Sequence, residues 1–203
     1  MATAVLVSGT GTILESVLEA TTVGVVVADR ACRAIEVAQA AGVATLLVDR
    51  RDHGGFGPGF DRQAYTDALS DALADRSVDL VCMAGFGTVL APTFFERFGG
   101  RVLNTHPSLL PRYPGWRAVA DALGDGATET GCTVHVATAA LDDGPILCQE
   151  AVEVRADDDE ATLHERIKAV ERRLYPATIV AVRAALDAGE EATAVAAAPV
   201  ARR

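Results

Sequence analysis

Apolar residues fall along this chain in two alternating rhythms. Unbroken apolar runs, AVLV at 4–7, VGVVVAD at 23–29, VATLLVD at 43–49 and VDLVCMAG at 78–85, have the length and β-branched content of buried strands. Between them the apolar positions take helical spacing. Ile13, Leu14, Val17 and Leu18 form one such set, CRAIEVAQAAG at 32–42 (closed by Gly42 as a C-terminal cap) a second, and DRQAYTDALSDALAD at 61–75 a third. The Gly-rich stretch RDHGGFGPGF at 51–60 reads as a flexible loop. Apolar strands alternating with amphipathic helices predict an α/β fold: an open, mostly parallel twisted sheet with helices on both faces.

The rhythm changes in the second half. RVLN at 101–104 is one more short strand, but GCTVHVAT at 131–138 alternates apolar and polar residues, and PILCQEAVEV at 145–154 comes after a DDG turn. This pattern predicts an antiparallel strand pair at one edge of the sheet. Residues 158–186 are helical, with an interruption expected at Pro176. From about residue 190 the pattern fades into what reads as a loose tail. No repeat or break in composition divides the chain, so residues 1–203 are expected to form one domain.

Charge narrows the partners. With 18 basic and 28 acidic residues the net charge is −10, and Lys168 is the only lysine. That balance weighs against general nucleic-acid or anionic-membrane binding, and leaves room for one small anionic ligand. No apolar run approaches the ~20 residues that span a bilayer. The N-terminus MATAVLVSGTGT has no basic region ahead of an apolar stretch, so a soluble, cytoplasmic protein is expected. Cys32, Cys82, Cys132 and Cys148 lack C-x-x-C spacing and read as free thiols; no metal site is expected.

Three short motifs carry candidate chemistry. SGTGT at 8–12 joins a buried strand to a helix, where backbone N–H groups and the helix dipole favour an anion. Leu14 stands where a dinucleotide fingerprint needs a third Gly, and Leu14-Glu15 where a P-loop needs Gly-Lys. The turn is then either a site for a single phosphate or a plain strand-to-helix connection. In NTHPSLLPRYPGW at 104–116, Asn104 and His106 share one side if the strand stays extended, and Pro107, Pro111 and Pro114 stiffen the loop after them. An Asn amide and a His suit an oxyanion forming at a carbonyl under attack. LDDGPILCQ at 141–149 adds Asp142 and Asp143 in a tight turn, a carboxylate able to relay protons. No Ser or Cys nucleophile has an evident base beside it, which favours direct transfer. His135 reads as a satisfied sheet histidine, and His53 and His164 as loop and helix-surface residues.

The segments VLVSGTGTILE, MAGFGTVLAP, RVLNTHPSLLPRYPG, TGCTVHVAT, LDDGPILCQ and ERRLYP occur in the order seen in the folate-dependent phosphoribosylglycinamide formyltransferases. The resemblance covers roughly residues 4–190 and implies a Rossmann-like sheet, with 10-formyltetrahydrofolate and glycinamide ribonucleotide as substrates and no metal. It implies catalytic roles for Asn104, His106 and Asp142. It places Gly9, Gly11, Thr12, Ile13 and Arg62 at the ribonucleotide phosphate, and Glu171 on the glycinamide. Thr88, Val89, Leu90, Ala140, Leu141 and Asp143 would line the folate pocket. The N-terminal half would hold the ribonucleotide, and the C-terminal half the folate and the catalytic group, in a monomer or homodimer.

Three positions depart from the family pattern. Ile13 replaces a polar residue, Thr88 a frequent arginine, and Asp143 a small residue, which bears on affinity more than on reaction type. Two relatives share the catalytic run. A methionyl-tRNA formyltransferase would be more basic and carry a further C-terminal domain. A formyltetrahydrofolate deformylase would carry a regulatory domain before the first strand. A non-catalytic phosphate or nucleotide sensor gives no reason for Asn104, His106 and Asp142 to occur together.

Overall fold

A computed structural model describes residues 2–195, which divide between Leu103 and Asn104 into two compact units. Seven strands form one mixed, mostly parallel sheet in the order β3-β2-β1-β4-β5-β6-β7. The strands are β1 Ala2–Val7, β2 Val25–Ala28, β3 Thr45–Leu47, β4 Val78–Met83, β5 Val102–His106, β6 Glu129–Val136 and β7 Ile146–Glu153.

In the first unit β1 lies parallel between β2 and β4, and β2 pairs in parallel with β3. Their continuous apolar sequence is explained by burial on both faces: β2 is buried at every position, and β1 everywhere after Ala2. Helices α1 (Thr12–Ala20), α2 (Arg33–Ala40), α3 (Arg62–Ala74) and α4 (Pro92–Phe98) come after β1 to β4 in turn. Leu6, Leu14, Tyr65, Leu69, Leu73, Leu80, Phe94 and Leu103 are the large, fully buried side chains here. Gly42 closes α2 with φ +72°; its N–H bonds the Gln39 carbonyl and the Val43 N–H the Ala38 carbonyl, the paired bonds of a Schellman cap. The strand expected over 43–49 is only Thr45–Leu47, an edge strand that ends with Leu47 partly in solvent.

The stretch 51–60 departs from the expected loop. Arg50–His53 is a turn of 3-10 helix capped by Asp49, whose side chain accepts from the Arg51 N–H at 2.9 Å, and the chain then reverses through Gly54 and Gly55 at φ +90° and +82°. Helix α4 was not anticipated, although Pro92 at its first turn is a readable start signal.

In the second unit β6 and β7 are antiparallel, as their alternation predicts, with an irregularity in register between Val134 and His135. Helix α5 (Ala118–Gly124), also unanticipated, and the long α6 (Glu160–Asp187) complete the unit. Val119, Cys132, Val152, Leu163 and Ile167 form its core, flanked by Leu123, Val154, Val170 and Leu174. A capping box at Asp159 and Thr162 starts α6. The interruption expected at Pro176 does not occur: α6 runs through it. A proline there removes one helical bond, to the Arg172 carbonyl, while buried Leu163 and Ile167 before it and Ile179 and Val182 after it anchor both halves. Of the expected tail from 190, Ala192–Val195 forms a 3-10 turn, and residues 196–203 lie outside the described residues. No helix among the described residues is long and apolar enough to cross a membrane.

Candidate active site

Strand β5 extends to His106, two residues beyond the expected end, so the Asn-x-His pair lies within it. Alternation along an extended strand then points Asn104 and His106 to one side and Thr105 to the other. His106 is buried, with Nε2 2.8 Å from the Tyr113 carbonyl and Nδ1 3.4 Å from Asp142 Oδ2. A carbonyl can only accept, so Nε2 is the protonated nitrogen in this contact. Asn104 Nδ2 lies 3.2 Å from His135 Nε2, and that nitrogen lies 3.8 Å from Asp142 Oδ1. Asn104, His106, His135 and Asp142 thus form one continuous polar cluster in the second unit.

Asp142 is held there by its backbone. Its φ of +54° is in the left-handed region, which Asp tolerates better than most residues, and the Gly115 N–H donates to its Oδ2 at 2.8 Å. Two residues on, Gly144 lies against β6 so closely that a Cβ would stand 1.7 Å from the Val136 carbonyl oxygen. The D-x-G-P sequence therefore has a geometric basis: Asp for the left-handed turn, Gly for the contact behind it. Tyr113, whose carbonyl holds His106, also has φ +54°.

His135 is the residue that sequence reasoning undervalued. It is a satisfied sheet histidine, as expected, but its partner is the amide of Asn104. Its position four residues after Gly131 in an alternating strand carries no signal of this. Burial lowers its pKa from the usual 6.5, and the charge of Asp142 opposes that shift. The short separation from Asp142 is therefore a contact of a neutral ring, not an ion pair.

On the far side of β5, the Thr105 hydroxyl lies 3.3 Å from Cys132 Sγ. Burial pushes Glu171 up to about 7, against the lowering effect of Thr105 and of Lys168 and Arg172. Ala140, Leu141 and Asp143 are exposed beside the Asp142 turn.

The phosphate candidates lie in the first unit, outside the carboxyl ends of β1 and β4, where the strand order reverses from β1 and ligands bind in open α/β sheets. Gly11 caps α1 with φ +79° and no side-chain cap bond, leaving first-turn N–H groups open. A Cβ at Gly11 would lie 2.9 Å from Ala34 Cα, because the start of α2 packs on the turn. The Ile13 side chain is buried, so only its backbone can serve an anion. Arg33 donates to the Thr10 carbonyl at 2.6 Å and to Glu15 at 2.7 Å, steadying the turn. Arg62 is exposed at the start of α3. Of the proposed folate wall, Val89 is exposed, Leu90 is core, and Thr88 is buried with its hydroxyl 2.7 Å from Asp29 Oδ2.

Asn104 and His106 at the C-terminal end of β5, His135 on β6 and Asp142 in the turn after it make a polar cluster whose donors suit an oxyanion. The chain belongs to the formyl transferase family, whose model matches residues 1–179. It is 48% identical over 184 residues to the phosphoribosylglycinamide formyltransferase of Mycobacterium tuberculosis (strain ATCC 25618 / H37Rv), covering 88% of this chain and 83% of that one. It is 36% identical to the human trifunctional purine biosynthetic protein adenosine-3, of which it spans 18%. Among solved structures it resembles glycinamide ribonucleotide transformylase 1 from Symbiobacterium toebii, with TM-score 0.81, 40% identity and coverage of 87% and 84%. The phosphoribosylglycinamide formyltransferase from Streptococcus pneumoniae TIGR4 aligns with TM-score 0.82 at 31% identity, covering 90% of this chain and 99% of that one. Among the described residues no group of three or more His, Cys, Asp or Glu is placed to hold a metal ion.

Proposed function

We infer that the protein is a phosphoribosylglycinamide formyltransferase, moving the formyl group of 10-formyltetrahydrofolate to the amine of glycinamide ribonucleotide in purine biosynthesis. The observation that carries this is the cluster in which His135 holds the Asn104 amide and Asp142 faces His106, 3.2 Å and 3.4 Å apart respectively. The family match supports formyl transfer as the reaction.

In this reading the amine nitrogen attacks the formyl carbon, and the carbonyl oxygen becomes an oxyanion. Asn104 and His106 donate to it; the His106 Nε2–H, which meets the Tyr113 carbonyl in the structure, turns to the developing charge. Asp142 steadies the imidazolium through Nδ1 and, through water, takes the proton that the amine loses. Breakage of the bond between the formyl carbon and the folate nitrogen, which takes up a proton, completes the transfer. Gly9, Gly11, Thr12 and Ile13 hold the ribonucleotide phosphate through backbone N–H groups, with Arg62 as a charged partner, and Glu171 binds the glycinamide. Val89, Leu90, Ala140, Leu141 and the flanking Thr88 and Asp143 bound the folate.

The test mixes the protein with glycinamide ribonucleotide and a 10-formylfolate and tracks folate absorbance together with formation of formylglycinamide ribonucleotide. Loss of the formyl group to water, with no formylated ribonucleotide, would sink the transferase reading in favour of a hydrolase.

A further inference from the structure

Another charged cluster lies in the first unit, beyond the carboxyl ends of β1, β2 and β4. Asp29, fully buried after β2, accepts from Arg30 Nε and Nη2 at 2.9 and 3.0 Å and from the Thr88 hydroxyl at 2.7 Å. Arg50 reaches the same Thr88 oxygen from Nη1 at 3.3 Å and the Gly55 carbonyl from Nε at 3.3 Å. Both of its partners are neutral. Among the described residues no carboxylate is hydrogen-bonded to or ion-paired with Arg50, whereas Arg51 beside it pairs with Asp49 at 2.6 Å.

Aromatic rings hold Arg50 instead. Its guanidinium lies 4.6 Å from the Phe56 ring centre and 4.1 Å from that of Phe60, and Arg30 lies over the same Phe56 ring at 4.3 Å. Asp29 answers the charge of Arg30; that of Arg50 is left over, in a chain of net charge −10. Tyr65 marks the same spot from beneath. It is fully buried, its hydroxyl has no hydrogen-bond partner, and the charges of Asp29, Arg50, Arg30 and Asp49 all act on it. Gly87 packs beside this cluster: a Cβ there would stand 3.3 Å from Arg30 Nη2 and 3.4 Å from Ser8 Oγ. Ser8 in turn accepts from the Gly87 N–H at 2.6 Å and precedes the Gly9 turn.

We propose that Arg50, with Arg30 beside it, is a specificity-determining residue that receives an oxyanion group of a substrate, either the ribonucleotide phosphate or a glutamyl carboxylate of the folate. This rests on the proposed formyl transfer. Of the five N–H donors of a guanidinium, Arg50 has only two engaged, so a fork remains for a phosphate or carboxylate. No ion pair has to break first, unlike at Arg33, which Glu15 already holds. The Thr88 hydroxyl anchors the Arg50 guanidinium, which comes from another loop.

Arg50→Gln and Arg50→Lys test this by steady-state kinetics at low and high salt, with a 10-formylfolate and with its analogue lacking the glutamate. Arg50→Gln is expected to raise the KM of one substrate roughly tenfold while kcat stays within about twofold, with Arg50→Lys between it and the wild type. A ribonucleotide effect identifies the phosphate. A folate effect that vanishes with the glutamate-free analogue identifies the carboxylate. Unchanged KM for both substrates overturns the proposal, as does a loss of kcat and melting temperature with KM intact, which would make Arg50 a loop strap. If Arg50→Gln does not fold, Arg50→Lys decides by the same criteria. Should the wild type transfer no formyl group, formyl transfer fails on its own. NMR titration of wild type and Arg50→Lys with inorganic phosphate and with p-aminobenzoylglutamate then reads the site directly, and binding unaffected by the substitution, or no binding at all, overturns it.

Discussion

His135 Nε2 sits 3.2 Å from the Asn104 amide nitrogen while its Nδ1 faces the Val136 carbonyl at 3.3 Å. Because a carbonyl only accepts, the ring proton is on Nδ1, and Nε2 presents its lone pair to the Asn104 N–H. Burial keeps the ring neutral, which preserves that lone pair. His135 therefore fixes which way round the Asn104 amide points.

His135→Ala is expected to lower kcat by roughly tenfold to a hundredfold with KM much less affected, since a misdirected donor harms the transition state most. A stability profile separates this role from packing. The unfolded ring protonates near 6.5 and the folded ring only at lower pH, so wild-type stability declines as pH drops below 6.5. His135→Gln removes that slope; identical pH dependence of melting in both proteins would contradict the neutral assignment.

His106→Ala and Asp142→Asn should each reduce kcat by roughly a hundredfold to ten-thousandfold, the usual scale for a positioned acid–base group. The double variant should lose little more than either single one, because the 3.4 Å contact makes the two a unit. Effects confined to KM, or losses that multiply, would argue against a shared role.

Gly11→Ala places a methyl 2.9 Å from Ala34 Cα at a residue with φ +79°. The turn has to shift, at a cost of about 1–3 kcal/mol. The expected kinetic outcome is a higher KM for glycinamide ribonucleotide and an unaltered KM for the formylfolate. Equal changes in both would move the phosphate away from this turn.

Glu171 titrates near 7 in the fold and near 4.5 when unfolded. The folded state holds its proton longer, so this group contributes stability below about 4.5 that is lost as pH rises through 7. Glu171→Gln should melt higher than wild type at pH 8 and about equally at pH 4, while raising the KM for the ribonucleotide. A lower melting temperature at pH 8 would show that the carboxylate is well solvated.

Much of this was legible along the chain, for a physical reason. Strands buried on both faces must be apolar at every position, and helices on a sheet must repeat every three to four residues, so local pattern is enough to place β1, β2, β4 and the helices α1 to α3. The Asn104–His106 pair was readable because alternation in a strand is local, and Asp142 with Gly144 because a left-handed turn and a close contact restrict residue type. Short helices α4 and α5 escaped because seven residues hold too few turns to show a period. Pro176 misled because its local cost of one hydrogen bond is outweighed by packing along a 28-residue helix. His135 and Arg50 show the same limit. One meets its partner 31 residues away and the other bonds across 38, and only the folding of β6 beside β5 and of the 50–60 turn against Thr88 brings an ordinary sheet histidine to Asn104 and an ordinary loop arginine to a place without a carboxylate partner among the described residues.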